Sequence, residues 1–153
     1  MHTGIQLVAL ALSGLLAGNE LGTLIGAHPA LRALPPKSEI AAEQALTGHL
    51  AKIMPVYTSV TLAAVVAAGI DRRGTEELRL TAAAASTLVA MLAVTGLGNV
   101  PLNKRTISYH VDGEVDGWQE IRRRWDRLHT ARVVLDVGAF VCLAKAALTS
   151  GQE

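Results

Sequence analysis

Four apolar runs of nearly membrane-spanning length, at about residues 4–26, 53–70, 80–100 and 131–148, dominate this chain of 153 residues. A helix needs roughly 20 residues to cross a hydrocarbon layer of ~30 Å. An open strand there would leave backbone donors and acceptors unpaired in lipid. The expected fold is therefore all-α, an integral membrane four-helix bundle in one domain over residues 1–153. Composition agrees, with 50% hydrophobic and 18% charged residues against about 25% charged in soluble domains. The first run lacks a basic leader, continues past the length of a signal-peptide core and precedes three more runs, so it reads as a retained span. A net charge of +1 gives no reason to propose nucleic acid as a partner. Cys142 is the single cysteine, which excludes an internal disulfide framework.

The connections are unequal. "DRRGTEELR" between the second and third runs reads as a tight polar turn centred on Gly74. The first connection holds Pro35-Pro36, with Ser38 expected to cap a short helix and Glu39 and Glu43 favourable in its first turns. The last connection reads as irregular up to Gly117 and helical beyond it. No repeat is evident. Alternating spans bring the end of the first, the start of the second, the end of the third and the start of the fourth to one membrane face. Asn19, Glu20, His28, His49, Tyr57, Asn99, Asn103, Trp118, Trp125, His129, Arg132 and Asp136 all fall there. The opposite face offers little beyond Arg72, Arg73, Glu76, Glu77 and Arg79. A polar pocket towards one face follows.

Spacing sharpens that expectation on the last helix. Trp125, His129, Arg132 and Asp136 stand at i, i+4, i+7 and i+11, and so share one face. Trp118, seven residues earlier, continues the stripe. Arg122, Arg123, Arg124 and Arg127 read as pointing elsewhere, as interfacial anchors. Arg132 and Asp136, four apart, can neutralise one another. Glu20 is costly in lipid and should face the interior paired, protonated or bound to a cation. Glu20, His49 and His129 are of types that bind zinc, iron or copper, and they come from three helices, as in metal sites of bundle cores. No His-x-x-x-His, Glu-x-x-His or cysteine pair supports such a site.

The third run ends in "GNVPLNKR", two amides around a proline. The "NVPLN" segment together with "WQEIRRRWDRLHTAR", Trp118 to Arg132, resembles the anthrone oxygenase-like family of small four-helix membrane proteins. "HPALRALP" after the first run is a weaker match. The resemblance implies a membrane oxygenase that uses O₂ as co-substrate on a small aromatic or lipophilic ketone of the anthrone type. Asn99 and Asn103 match the amide motif, and Trp125, His129 and Arg132 match the second motif. Glu20 and His49 have no assigned counterpart. On this reading His129 or Glu20 is the base, and Asn99, Asn103 and Arg132 hold the oxyanion. Trp118, Trp125 and Tyr57 supply aromatic surface to the substrate.

The rival reading is a non-catalytic membrane binding or scaffold protein whose polar cluster ties helices together. "GLLAG", Gly14 to Gly18, is a small-xxx-small pattern that suits a homo-oligomer. A transporter is disfavoured without a repeated half. Ten of the fourteen Lys and Arg residues lie on the polar face. The positive-inside rule therefore leans the pocket towards the cytoplasm, in a bacterial inner membrane.

Overall fold

The computed structural model describes residues 2–73, 77–110 and 115–149, all of the regular elements being helical among them. The turn expected at Gly74, and Glu76 beside it, lie outside the described residues. The chain runs α1 (His2–Gly22), a π-turn (Thr23–Ala27), α2 (His28–Arg32), α3 (Pro36–Asp71), α4 (Glu77–Val94), a second π-turn (Thr95–Asn99), α5 (Val100–Ile107) and α6 (Val115–Thr149). The fold is an integral membrane four-helix bundle. Three helical rods, Gly4–Arg32, Pro36–Asp71 and Glu77–Ile107, are long and apolar enough to cross a membrane. The fourth, α6, carries Arg132, Asp136 and Lys145 in its final half, but Arg132 and Asp136 are buried while Val134, Val141 and Leu148 face outwards. Two of these three charges are turned inwards, Lys145 alone being exposed near the helix end.

Two helices are longer than expected. The short helix after Pro35-Pro36 and the second apolar run form one element, the 36-residue α3. Proline suits its first position, where no helical donor is needed. Ser38 lies inside the first turn, its N–H donating to the Pro35 carbonyl at 2.9 Å, so it is not the cap. In the same way α6 runs for 35 residues without an irregular lead after Val115. At 1.5 Å per residue each is roughly 50 Å long, well beyond the ~30 Å of hydrocarbon. Both extensions emerge at the pocket end. Gln44 ties the α3 extension to the end of α5, donating to the carbonyl of Tyr109 at 2.7 Å and of Thr106 at 3.1 Å.

Contrary to the expectation, the chain repeats its architecture. Thr23-x-x-Gly26-x-x-Pro29 and Thr95-x-x-Gly98-x-x-Pro101 each form a π-turn followed by a short helix, a connection and a long helix. In both, the threonine hydroxyl donates to the carbonyl four residues back, Asn19 and Met91 respectively. Proline lacks the N–H and crowds the preceding turn, and a one-residue widening relieves both problems. The helix therefore continues through "GNVPLNKR" instead of ending there. Sequence reading passes over the repeat because three positions in seven agree.

Below the π-turns the bundle is dry and tightly packed. Leu16, Val65, Ala68, Ala84, Leu88, Met91, Ala139 and Leu143 form its core. A methyl group added at Gly14 would stand 2.9 Å from Phe140 Cε2, so this glycine serves α1–α6 contact within the chain, while nothing lies within 4 Å of a methyl at Gly18. The far end is also less bare than expected. Arg72 is buried, donating from Nη1 to the Ala146 carbonyl at 3.0 Å and from Nη2 to Gln6 Oε1 at 3.0 Å.

Candidate functional site

Every third or fourth residue of α6 from Trp118 is buried: Trp118, Arg122, Trp125, His129, Arg132, Asp136, Ala139, Leu143 and Ala146. This 3-4 spacing keeps one stripe turned inwards along the whole helix. The first six are polar or aromatic and the last three apolar. Opposite them, the buried stripe of α3 runs through Ile40, Glu43 and Thr47 and resumes at Thr58. In the gap, Leu50, Ala51, Met54 and Pro55 line a partly open cavity of about 240 Å³. Two larger grooves of about 490 and 500 Å³ lie near Arg105 and Arg124. They are more open and hold none of the buried acid–base groups, so the smaller cavity is the candidate site.

Its polar end is built from α1 and α6. Arg132 Nη2 donates to Glu20 Oε1 at 2.5 Å, and His129 Nδ1 lies 3.2 Å from Glu20 Oε2. All three side chains are buried and line the cavity. Neither ring nitrogen of His129 makes a hydrogen bond among the described residues, the 3.2 Å approach to Glu20 being a charge contact without hydrogen-bond geometry. Trp125 forms the adjoining wall, its ring centroid 4.5 Å from that of His129 at 32°. Its Nε1 donates to Asn103 Oδ1 at 2.8 Å, which turns the amide so that its NH₂ is not spent on Trp125. Asn19 reaches from α1 to Met54 Sδ at 3.6 Å, at the exposed rim.

A second buried cluster adjoins the first. His28 Nδ1 lies 2.8 Å from Glu43 Oε1, and Arg122 Nη2 is 3.1 Å from both atoms. His28, Glu43 and Arg122 are 2%, 0% and 4% exposed. Arg122 also lies over the Trp125 ring, 4.6 Å from its centroid, a favourable placement for a cation. Burial lowers the Arg122 pKa, opposed by the charges of Glu43 and then Asp126; a guanidinium stays protonated regardless. His28 lines the cavity as well, with ring centroids 4.5 Å from Trp125 and 5.6 Å from His129.

The expected site residues divide. Glu20, Asn103, Trp125, His129 and Arg132 line the cavity. Asn99 does not; it is fully buried in the second π-turn with both amide atoms unpartnered. Trp118 packs one level out and donates from Nε1 to Glu39 Oε1 at 3.1 Å. Tyr57 packs on the apolar core with its hydroxyl donating to the Leu12 carbonyl at 3.3 Å. His49 is exposed, with Nδ1 3.0 Å from the Ala45 carbonyl of its own helix. Arg132 turns across to Glu20 instead of pairing with Asp136, whose two carboxyl oxygens find no partner. Arg122 is buried in the second cluster, whereas Arg123, Arg124 and Arg127 are exposed as anchors. Arg122 was detectable, being four residues after Trp118 and three before Trp125. The sequence places His28 on the pocket face, but its pairing with Arg122, and the burial of Glu43, were not legible, since Arg122 is 94 and 79 residues away from them.

The donor set does not suit a transition metal. With His49 turned away, Glu20 and His129 are two ligands, and the Arg132 cation already occupies the carboxylate. No group of three or more His, Cys, Asp or Glu side chains is arranged for a metal among the described residues. No step below is routed through one.

An apolar-sided bundle enclosing buried carboxylates, histidines and arginines defines a helical membrane protein with an internal polar pocket. The anthrone oxygenase family model matches residues 44–142, more than half of the chain. The chain therefore belongs to the anthrone oxygenase family, a membrane oxygenase-like family. No curated protein and no solved structure matches it. The matched stretch contains α4, α5 and most of α3 and α6. It leaves out α1 and α2, which bring Glu20 and His28 to the pocket, and stops one residue short of Glu43.

Proposed function

We propose that the protein is a membrane oxygenase that oxidises a compact anthrone-type ketone with O₂ by base-assisted deprotonation. The observation that carries this reading is the buried Glu20–His129–Arg132 group in the wall of a cavity that also has an apolar side. A volume of about 240 Å³ is below the roughly 300–1,000 Å³ of drug-sized sites, which favours a small, flat ligand. Such a ring system packs beside Trp125, whose ring already carries His129 at 4.5 Å and Arg122 at 4.6 Å. With the Glu20 carboxylate 3.2 Å from Nδ1, a proton on Nδ1 faces the anion and Nε2 serves as the base. His129 then takes a methylene proton, and the electron-rich enolate that results attacks O₂. Arg132 and the Asn103 amide N–H stabilise the negative oxygen, in surroundings dry enough to strengthen each contact.

Leu50, Met54 and Leu92 supply the apolar side of the cavity, a route in from lipid for a lipophilic substrate. We place the pocket end at the cytoplasmic side of a bacterial inner membrane, on the ten basic residues of that end. The spans remain those read from sequence, about residues 4–26, 53–70, 80–100 and 131–148. The scaffold alternative draws on the same buried pairs as helix ties; what favours the oxygenase is that Glu20, His129 and Arg132 meet at the wall of a cavity and not within a closed helix contact. Detergent-purified protein is expected to consume O₂ when given anthrone, and His129→Ala to fall to the uncatalysed rate while its melting temperature is kept. Wild-type turnover in that variant would overturn the proposal.

A further inference from the structure

We propose that the groove between α5 and α6, on the outer wall of the bundle, is a binding site for the phosphodiester headgroup of an anionic phospholipid. Arg105 from α5 and Arg124 and Arg127 from α6 line this groove of about 500 Å³, over a floor of Pro101, Leu102 and Leu128. No acidic side chain among the described residues lines it. Spacing explains the convergence. Pro101 and Arg105 are four apart, and Arg124, Arg127 and Leu128 fall at i, i+3 and i+4, so each set shares a helix face. Gly98 lets the two faces meet, since a methyl group there would stand 2.6 Å from Leu128 Cδ1.

The cations are available to a ligand. Arg105 and Arg127 are exposed and make no ion pair among the described residues. Arg124 spends only its Nε, on Glu120 Oε1 at 2.6 Å, which orients the guanidinium and leaves its terminal nitrogens for an anion. Guanidinium forks match phosphate oxygens in pairs. The adjoining groove of about 490 Å³ shares Arg105 and Arg124 but has Glu120 in its wall, the wrong charge for a phosphate. Depth points to a lipid. Counted from the proposed span ends, Arg105 is five residues past residue 100 and Arg127 four before residue 131, roughly 6–8 Å at the helical rise. Headgroups occupy about 5–7 Å on each side of the hydrocarbon. Towards the hydrocarbon the same flank turns apolar, with Leu97 and Val134 85% and 65% exposed, a bed for an acyl chain that a free phosphate would not need. A headgroup held there ties α5 to α6 behind the Trp125–Asn103 hydrogen bond. Nothing in this site depends on the oxygenase chemistry.

The test uses the full-length protein, delipidated in neutral detergent and titrated separately with phosphatidylglycerol and with phosphatidylcholine of the same acyl chains. Native mass spectrometry counts the lipids bound per chain. Phosphatidylglycerol is expected to bind about tenfold more tightly than phosphatidylcholine and to raise the melting temperature. Arg105→Gln should weaken it roughly 5-fold and the double variant with Arg127→Gln about 30-fold, from the general worth of a basic residue near an anionic surface. Lys104→Gln and Arg123→Gln remove exposed cations of the same membrane face that lie outside the groove, and should leave binding unchanged. The lipid-free melting temperature of each variant checks its fold, and Arg127→Gln alone replaces the double variant if that one is unstable. Equal binding of the two lipids, or equal losses in Lys104→Gln and Arg123→Gln, would overturn the site. Inorganic phosphate giving the same rise in melting temperature at equal concentration would make it a free-anion site and overturn the assignment to lipid.

Discussion

The same four helices make two different interiors. Towards the end marked by Arg72 the inner stripe of α6 is Ala139, Leu143 and Ala146, faced by Ala84, Leu88, Val65 and Ala68, and small side chains let the helices close without a cavity. At the other end the same stripe carries Arg122, Trp125, His129 and Arg132, and the helices are interrupted by Pro29, Pro55 and Pro101. Each proline removes a backbone donor, two of them behind π-turns, and the cavity lies among the three interruptions. Close packing serves the first interior. In the second, the irregular backbone stays helical and keeps its own hydrogen bonds while Ile25 and Leu97 of the π-turns face outwards.

The largest expected effect that sharpens this contrast is at the Glu20–Arg132 pair. Arg132→Met leaves a buried carboxylate uncompensated and should cost about 3–5 kcal/mol, read as a fall in melting temperature, together with loss of turnover. The double variant with Glu20→Gln should recover much of the stability and none of the activity. Independent, additive losses would show that the two do not act as a buried pair. In the dry interior, Gly14→Ala drives a methyl against Phe140 and should cost about 1–3 kcal/mol as overpacking. Activity per folded molecule should stay at the wild-type level, and a matching drop in turnover would mean the two interiors are coupled.

Pro101→Ala restores a helical donor at the second π-turn. Because the widened turn already accommodates the proline, we expect a lower melting temperature, a loss of about 1 kcal/mol or less through the freer unfolded chain, and slower turnover because the turn that presents Asn103 relaxes. The smallest effect lies outside both interiors. Glu120 is held below the ordinary carboxylate range by hydrogen bonds from Arg124 and then Arg123. A lowered folded-state pKa contributes stability above the unfolded carboxylate value, lost as pH falls through the folded one. The small difference in melting temperature between wild type and Glu120→Gln at pH 7 should therefore disappear on acidification; a difference that grows would contradict the pairing.

Much of the fold was legible because apolar length and helical spacing are local properties. Four helices, one polar end, and the inward stripe of Trp125, His129 and Arg132 follow from counting along the chain. What escaped depends on contacts between distant segments. Arg122 looked like one of three adjacent lipid anchors, although its offsets from Trp118 and Trp125 put it on the stripe. Glu43 looked like a charge in a helix's first turns; it is buried only because α3 continues past the expected boundary and His28 is carried round by a π-turn. Tyr57 and Asn99 lie at the right level yet face the core and the turn. Residue type and depth place a group near a pocket, while its rotation about the helix decides whether it lines it.

The most direct test is a structure of the protein bound to an anthrone analogue whose methylene is replaced so that it cannot be oxidised. The account predicts the ring system in the cavity beside Trp125, its carbonyl oxygen within hydrogen-bond distance of Arg132 or Asn103, and its replaced carbon next to Nε2 of His129. Analogue bound only in the outer arginine-lined grooves, or with its reactive carbon remote from His129, would contradict it.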